Sequence, residues 1–362
     1  MPARHITRKE FLNITALGLG GLGLAFQSRR LVLTEFPDYA RLGRVCVGMV
    51  ELKARPSLYS QTVGVLYEDA VLPWLSERAA VEIDMNRIIQ RWVETPDGYI
   101  YAPYIQPVRN LPNVPISQLL PLSIGEGMWF EVTVPYADVI LNNNPSTNSW
   151  VSARVEQGLP VRVYYGQVFF VDRIDTRDDG NVYYRVNPNY YGGVDMLWVP
   201  AEAMQPLSPE DMGPINPEAL DKRAVVDIKR QTLACYEGAV EVFYCRISTG
   251  IEVGSTPLGI HRVSRKFISL QMSGSGSGGT GAGYDLPGIG WTSIFVTGGV
   301  AIHATVWHNE FGFQRSHGCV NCLPQDAKWI FRWLQPTVSY DPGMLDISLT
   351  GDASTTVEVI ET

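Results

Sequence analysis

The sequence predicts a mainly β protein made of several small domains. Short apolar runs rich in Val, Tyr and Phe recur along the chain and are separated by Gly, Pro, Asn and Asp, a spacing typical of short antiparallel strands. A length of 362 residues exceeds one average domain, so two or three domains are expected. A helical period stands out near the carboxyl end, just after Cys322.

The charge balance restricts the partners. The chain has 37 acidic and 29 basic residues and a formal net charge of −8. Nucleic-acid binders need a basic surface that contacts phosphates, so the sequence excludes a nucleic-acid partner. Nothing in the sequence requires a metal or an organic cofactor.

Residues 1–28 have the pattern of an export signal. A basic start precedes an apolar run that suits a signal peptide and is short for a membrane span. Residues 7–12 resemble the twin-arginine signal with Lys9 in place of the second arginine, so both the Tat and the Sec route stay open. We expect an exported, extracytoplasmic protein of the periplasm or cell wall, tethered to the membrane if the signal is not cleaved.

Two small β units are expected in the middle of the chain. Residues 44–108 resemble a bacterial SH3-like domain through the turn at 52–56, the strand at 63–66 and the closing segment 91–100. That resemblance implies binding to the cell wall or to a protein. Residues 128–207 predict a second small β domain, SH3-like or barrel-like, with a hairpin turn at 178–180. The proline-rich residues 208–219 are interpreted as a linker.

The carboxy-terminal domain, residues 220–362, opens with a predicted hairpin whose turn is at Glu237 and Gly238. Such a turn sets Cys235 opposite Val240, so we expect no disulfide between Cys235 and Cys245. Strands are predicted at 260–263, 291–296 and 300–303, the last of which brings His303 to a strand end. The Ser- and Gly-rich residues 273–283 are expected to form a mobile surface loop.

A helix is predicted directly after the segment that contains Cys319. Pro324 suits the first helical position, where its missing N–H costs nothing. The helical period places four apolar residues on one face: Ala327, Ile330, Phe331 and Leu334. Cys319 is therefore expected in a loop between a strand and this helix.

Several motifs occur in a fixed order through the carboxy-terminal domain. They are Val226 and Asp227 with Thr232 and Leu233, then Ser248-Thr249-Gly250, Thr256-Pro257 with Gly259, Ile302-His303, and Gly312 with Ser316, Gly318 and Cys319. This order resembles the L,D-transpeptidase (YkuD) catalytic domain. The resemblance implies a mostly antiparallel β-sandwich with a short helix after the cysteine. It also implies a cysteine acyltransferase that acts on peptidoglycan stem peptides and is acylated by carbapenems.

The implied chemistry needs a thiol nucleophile and a base. Cys319 would attack the L,D peptide bond of a tetrapeptide stem, form a thioester and pass the acyl group to an amine of a neighbouring stem. A free thiol has a pKa of roughly 8.5, so it needs a neighbouring group that takes its proton. The family's catalytic histidine corresponds to His303, whose ring the backbone carbonyl of Ala304 would orient. His317 is a competing base to which the family gives a supporting role.

Four further residues are expected in the substrate-binding part of the site. Ser316 would tie the loop by hydrogen bonds, and backbone N–H groups near Gly318 and Cys319 would form an oxyanion hole. Asn321 would contact a substrate amide or carboxylate. His308 faces either the groove or the solvent, and the sequence leaves both open.

Three alternatives remain at this level. Cys319 and Cys322 form a C-x-x-C pair, which is typical of redox-active or zinc-binding proteins. The second alternative is an L,D-carboxypeptidase that trims stems. The third is a wall-binding module without catalytic activity.

Overall fold

The computed structural model describes residues 35–85, 87–123, 125–141, 146–178, 180–187, 196–274, 284–347 and 353–362. The predicted export signal at 1–28 lies outside these residues. Of the predicted loop at 273–283, Ser273 and Gly274 belong to a strand and the rest lies outside the described residues. Strands dominate the described residues, so the prediction of a mainly β protein is confirmed.

The first β unit contains two sheets. Its strands are Leu42–Val45 (β1), Met49–Lys53 (β2), Thr62–Tyr67 (β3), Val71–Pro73 (β4), Ser76–Ala79 (β5), Arg91–Thr95 (β6), Gly98–Tyr101 (β7) and Ile105–Val108 (β8). Their order is β3-β2-β7-β6-β5 in one sheet and β4-β1-β8 in the other. Val45, Val93 and Ile100 are fully buried in the core of this unit. The SH3-like resemblance of residues 44–108 stays a prediction.

The second β unit is built on a seven-stranded sheet. Its elements are Leu120–Leu122 (β9), Gly125–Val132 (β10), Tyr136–Asp138 (β11), Ile140–Leu141 (β12), Ser149–Glu156 (α1), Arg162–Tyr164 (β13), Val168–Thr176 (β14), Val182–Asn187 (β15), Leu197–Pro200 (β16) and Met204–Pro206 (β17). The sheet order is β12-β16-β15-β14-β10-β17 with β9 beside β10, and β11 pairs with β13 separately. The sheet therefore begins before residue 128, although the sequence analysis had predicted that the unit starts at residue 128.

Helix α1 was not predicted from the sequence. Asn148 caps it, since the side chain accepts a hydrogen bond from the Val151 N–H at 3.0 Å. Val151 is its one buried residue, so the helix lacks most of the apolar stripe from which a helix is predicted.

The carboxy-terminal domain is a sandwich of two five-stranded sheets. Its elements are Lys222–Asp227 (β18), Thr232–Glu237 (β19), Val240–Arg246 (β20), Gly259–Arg262 (β21), Arg265–Gly274 (β22), Tyr284–Ile294 (β23), Ala301–Ala304 (β24), Val320–Cys322 (β25), Pro324–Trp333 (α2), Met344–Asp346 (β26) and Thr356–Ile360 (β27). The orders are β20-β19-β18-β27-β21 and β25-β24-β23-β22-β26. Pairing is antiparallel except for β18 with β27 and β24 with β25.

One apolar core joins the two sheets of the sandwich. Val226 and Val359 from one sheet meet Ile302 and Val320 from the other in a single buried cluster. Residues of α2 complete it. The predicted β-sandwich with a short helix after the cysteine is therefore confirmed.

The hairpin of β19 and β20 differs in register from the expectation. Its turn residues are 238 and 239, one later than predicted, because Glu237 pairs with Val240. A bulge after Cys235 shifts the register again, so Cys235 lies opposite Phe243 and not Val240. All five cysteines are free thiols, in agreement with the expected absence of a disulfide between Cys235 and Cys245.

Helix α2 follows the predicted pattern at both ends. Pro324 is its first residue, and the four residues of the predicted apolar face are all buried. Beyond its last turn, the buried Lys266 donates hydrogen bonds to the carbonyls of Phe331, Leu334 and Pro336 at 2.8, 2.6 and 2.9 Å. Cations stabilise a helix carboxyl end, so Lys266 fixes the helix to the sheet that carries β24.

Both β units pack tightly on the carboxy-terminal domain. Trp129 and Phe170 of the second unit lie within the core cluster of the sandwich. Gly288 of β23 lies so close to the second unit that an added Cβ would be 2.4 Å from the Phe169 ring. The segment interpreted as a linker is also packed, since Met212 is buried and the Ile215 N–H donates to the Arg332 carbonyl.

A buried ionic network connects all three parts. Asp69 of the first unit bridges Arg44 at 2.8 Å and Arg162 of the second unit at 2.7 Å. Arg44 also donates to Gln106 at 2.7 Å and to the carbonyl of Val306 in the carboxy-terminal domain. Separating the parts would leave a buried charge without its partner, which costs several kcal/mol, so this network helps to fix the relative positions of the three parts.

No helix within the described ranges is long and apolar enough to cross a membrane.

We expect Arg44→Met to lower the free energy of unfolding by about 3 kcal/mol, because it leaves Asp69 with one guanidinium and the Val306 carbonyl without its donor. Arg223→Met, which breaks an exposed pair with Glu358, is the matched control and should cost less than about 1 kcal/mol. Urea unfolding followed by tryptophan fluorescence measures both. Equal losses would contradict the role given to the network.

Candidate active site

The parallel pairing of β24 with β25 organises the site. Ile302 lies opposite Val320, and His303 lies opposite Asn321. Ile302, Ala304, Val320 and Cys322 all face the core cluster of the sandwich. Because side chains alternate along a strand, the other face of this strand pair carries His303 and Asn321. Residue 319 directly precedes β25, so its side chain continues that second face.

His303 is held as a neutral, oriented imidazole. Its Nδ1 donates a hydrogen bond to the Ala304 carbonyl at 2.8 Å, as the family resemblance implied. The ring is 2 % exposed and stacks on Trp307 with centroids 5.9 Å apart. Burial lowers the pKa of His303 to about 4, although the bond to the Ala304 carbonyl opposes the shift. The neutral ring therefore keeps its lone pair on Nε2, where a base needs it.

Cys319 is half-buried at the edge of a small apolar cluster. It packs against Phe267, Ile294 and Ala301, and its Sγ lies 3.7 Å from the Gly299 carbonyl oxygen. Burial raises the pKa of the thiol, while a hydrogen bond from the Ala301 backbone opposes that rise. A raised thiol pKa and a lowered imidazole pKa both favour the neutral forms. The resting site therefore holds a thiol and a neutral imidazole rather than an ion pair.

Ser316 ties the turn that precedes the cysteine. Its hydroxyl donates to the Cys319 carbonyl at 2.6 Å and accepts from the Gly318 N–H at 3.0 Å. The Gly318 N–H is therefore engaged inside the loop, and the expected oxyanion hole of N–H groups near Gly318 and Cys319 stays a prediction. Within the described residues the Cys319 N–H has no hydrogen-bond partner, so it is the remaining donor at this turn.

Residue 318 must be glycine for two reasons, its backbone conformation and the lack of space for a side chain. Its φ of +149° is a conformation that other residues rarely adopt, and a Cβ would lie 2.5 Å from the Ser255 carbonyl oxygen. Thr256 braces the same point, since its hydroxyl donates to the Gly318 carbonyl at 2.7 Å and accepts from the Gly250 N–H at 3.0 Å. The sequence motifs contained Gly250 and Thr256, but we had assigned them no role.

Residues 248–250 support the cysteine turn from the other side. Thr249 accepts the backbone N–H groups of Arg315 and Ser316 through its carbonyl. Gln231 in turn accepts from the Thr249 N–H at 2.7 Å. Gln231 was missed because its partners are distant in sequence and a lone glutamine carries no motif.

His308 is buried and does not face the solvent. Its Nδ1 accepts the Glu310 N–H at 3.1 Å, so the neutral ring carries its proton on Nε2. The side-chain amide of Asn321 lies 2.9 Å from that Nε2 and therefore presents its oxygen to it. Burial, helped by the charge of Arg315 and by His303, lowers the pKa of His308 to about 3.

Asn321 thus has a structural partner and is itself 2 % exposed. Its second amide atom is buried without a hydrogen-bond partner among the described residues. His317, by contrast, lies exposed on the loop. The structure brings together six predicted site residues, Cys319, His303, Ser316, Gly318, Asn321 and His308, and leaves His317 at the surface.

The C-x-x-C alternative does not fit this geometry. Cys319 is half-buried on the catalytic face, whereas Cys322 is fully buried on the opposite face in the sandwich core. Residues three apart along a strand point to opposite sides, so these thiols do not form a redox pair. The described part of the chain contains no group of three or more His, Cys, Asp and Glu placed to hold a metal ion.

The loop 305–319, which joins β24 to β25, is fixed by the first β unit. Asn309 donates to the carbonyls of Ala102 at 3.0 Å and Ile105 at 2.9 Å. Arg44 holds the Val306 carbonyl from the same side. Because Val306 and Trp307 follow His303 closely, the first unit contributes to the placement of the His303 ring.

Fold and site together define a β-sandwich domain with a cysteine and an oriented histidine on one face of a parallel strand pair. Residues 221–359 match the sequence model of the YkuD family, described as the L,D-transpeptidase catalytic domain. The resemblance deduced from the motifs is therefore confirmed for this domain. No curated protein matches the chain.

Solved structures of L,D-transpeptidases resemble the chain at low identity. An Enterococcus faecium L,D-transpeptidase is 23 % identical over 40 % of this chain and 51 % of its own, with a TM-score of 0.30. An L,D-transpeptidase from Mycobacterium smegmatis is 18 % identical over 52 % of this chain and 81 % of its own, with a TM-score of 0.31. The L,D-transpeptidase LdtMt1, solved in complex with imipenem, is 18 % identical over 68 % of this chain and 100 % of its own, with a TM-score of 0.31. The chain thus matches about half the length of the Enterococcus protein.

We expect Gly318→Ala to lower the free energy of unfolding more than Gly254→Ala does. Both glycines have positive φ, but an added Cβ meets the Ser255 backbone only at residue 318 and nothing within 4 Å at residue 254. Backbone strain costs roughly 1–3 kcal/mol at either position, and the clash adds to it at 318. Urea unfolding of the two variants measures the difference, and equal midpoints would contradict the proposed close packing.

We also expect the two buried histidines to contribute less stability as the pH drops from 6.5 to 4. In that window the unfolded chain protonates His303 and His308 while the native rings, with pKa values of about 4 and 3, stay neutral. Each ring contributes up to about 1.4 kcal/mol per pH unit. His308→Gln should remove one ring's share of this slope and leave the dependence above pH 7 unchanged. An unaltered slope between pH 6.5 and 4 would refute the assignment.

Proposed function

We propose that the chain is an exported peptidoglycan L,D-transpeptidase with Cys319 as nucleophile and His303 as base. The observation that carries the proposal is the His303 ring, oriented by the Ala304 carbonyl on the same strand-pair face as Cys319. The family match of residues 221–359 supports the reaction class.

Acylation begins from the neutral pair. His303 Nε2 takes the proton from the Cys319 thiol as the sulfur attacks the carbonyl carbon of the third stem residue. The carbonyl oxygen becomes an oxyanion, to which the Cys319 N–H is the available donor of the turn. When the tetrahedral intermediate collapses, the imidazolium gives its proton to the departing amine of D-Ala. The product is a thioester on Cys319 with His303 neutral again.

Transfer to the acceptor reverses these proton movements. A side-chain amine from a neighbouring stem attacks the thioester carbon and loses a proton to His303. The sulfur then leaves and recovers that proton as a thiol. One peptide bond is broken and one is formed, so the cycle needs no external energy source or cofactor.

Burial of the site suits this mechanism. A thiol and an imidazole that are both neutral at rest cost less to bury than an ion pair does. Charge appears only when substrate covers the site and adds its own dipoles. The proton of His303 is then lost easily, because the pKa of the ring is low, which helps the departing amine to leave.

The localisation and the amino-terminal units are part of the same proposal. Residues 1–28 would direct export to the periplasm or cell wall, where the polymer lies. The SH3-like resemblance of residues 44–108 suggests that the first unit contacts the wall. Carbapenems, which offer a strained acyl group, would acylate the same thiol.

The test is incubation of the chain with tetrapeptide muropeptides, followed by mass spectrometry. We expect release of D-Ala and new cross-links with the wild type and none with Cys319→Ala. His303→Gln should lower the rate by about 10²–10⁴-fold, because general-base catalysis contributes that much. The exposed His317→Gln should lower it less.

Intact mass provides a second readout. Addition of a carbapenem should increase the mass of the wild type by one adduct and leave Cys319→Ala unchanged. Release of D-Ala without cross-links would identify an L,D-carboxypeptidase instead. Identical products from the wild type and Cys319→Ala would refute the enzymatic proposal.

A further inference from the structure

A cleft of about 560 Å³ lies where the three parts of the chain meet, and we call it the junction cleft. Its walls include Arg41 and Arg91 of the first unit, Tyr165 of the second, and Asn309 and Gln325 of the carboxy-terminal domain. Ligand sites commonly have volumes of about 300–1,000 Å³, and they often lie between domains. The junction cleft therefore has the size and the position of a binding site.

The charges of the cleft favour an anion. Arg41, Arg91 and Arg109 line it together with one carboxylate, Glu77, so three positive charges face one negative charge. This is unusual in a chain with a net charge of −8. The excess concentrates positive potential between low-dielectric walls, which raises the local concentration of anions.

The arginines also keep free donors. Arg41 and Arg91 each donate to Glu77, at 2.9 and 2.7 Å. A guanidinium has five N–H groups, so both retain donors for a ligand. Arg109 is exposed and forms no ion pair with any residue that the structure describes. Planar guanidinium groups bind carboxylates and phosphates through paired hydrogen bonds, and of these two anions the carboxylate is the one that the stem peptide of the proposed function carries.

The remaining walls suit a peptide. Trp74 lines the cleft under the Arg41 guanidinium, which lies 4.2 Å from its ring centroid. The half-buried Tyr165 and the exposed Gln325 amide add polar groups that pair with amide bonds. A ligand with both carboxylates and amides would use all of these groups.

The cleft is separate from the catalytic face but close to it. Cys319 directly precedes β25, whereas Leu323, which lines the cleft, directly follows it. Four residues of extended chain span about 13 Å. A tetrapeptide stem is itself about that long when fully extended, so a stem held at Cys319 can at most reach the edge of the cleft, whereas a neighbouring stem of the same polymer can occupy it.

We propose that the junction cleft binds a second, carboxylate-bearing stem peptide of the polymer whose first stem is at Cys319. This proposal rests on the proposed function and names a second binding site for the same substrate. The cleft then anchors the polymer and raises the effective concentration of the reacting stem.

Calorimetry on the full chain carrying Cys319→Ala tests the cleft without turnover. The probe is a soluble tetrapeptide stem with free carboxylates. We expect two binding sites, and Arg91→Gln with Arg109→Gln should weaken one of them about tenfold to a hundredfold, because charge-assisted hydrogen bonds are lost. Arg223→Gln, which removes an exposed arginine elsewhere, is the control and should leave both sites. A stem whose carboxylates are amidated should bind at the catalytic site alone.

Kinetics on the active chain provide the second measurement. The double arginine variant should raise KM for polymeric peptidoglycan at least tenfold more than KM for an isolated tetrapeptide stem, with kcat for the polymer retained. A single calorimetric site, or equal changes in KM for polymer and isolated stem, would overturn the cleft proposal. Failure of the wild type to release D-Ala would instead overturn the proposed function, and calorimetry would still decide whether the cleft binds the peptide.

Discussion

The parallel pairing of β24 with β25 is the constraint on which the site depends. It sets His303 level with Asn321, and alternation then sends Ile302, Val320 and Cys322 into the sandwich core. The same apolar burial that holds the two strands together therefore turns His303 and Asn321 away from that core. A one-residue slip would put His303 into the core, so the register of the sheet determines where the imidazole lies.

The amino-terminal units act on this pairing through the loop 305–319. Such a long connection between adjacent parallel strands is entropically costly to order on its own. Here Arg44 and Asn309 attach it to the first unit by hydrogen bonds, and Asp69 fixes Arg44 to the second unit through Arg162. Because Arg44 bonds both to Asp69 and to the Val306 carbonyl, the two β units help to position the loop that follows His303.

Motifs and periodicity predicted the parts of the fold that follow local rules. The helix at 324–333 was evident because Pro324 and its apolar face are properties of consecutive residues. Strand β25 and helix α1 were missed, since a three-residue strand is defined by its partner and α1 buries only Val151. The bulge after Cys235 has no sequence signal, so the register of that hairpin was wrong.

The site, like the fold, has features that the local sequence predicts and features that depend on contacts between distant residues. A histidine, a following carbonyl and a cysteine could be named from the order of motifs, but the availability of each hydrogen-bonding group could not. Ser316 takes the Gly318 N–H, and the buried amide of Asn321 is turned to His308, because of contacts that no spacing announces. These contacts leave the Cys319 N–H without a partner among the described residues, so in the proposed mechanism the nucleophile and the oxyanion donor belong to one residue. Any movement of that turn displaces both together, which explains why Gly318, Ser316 and Thr256 fix it from three directions.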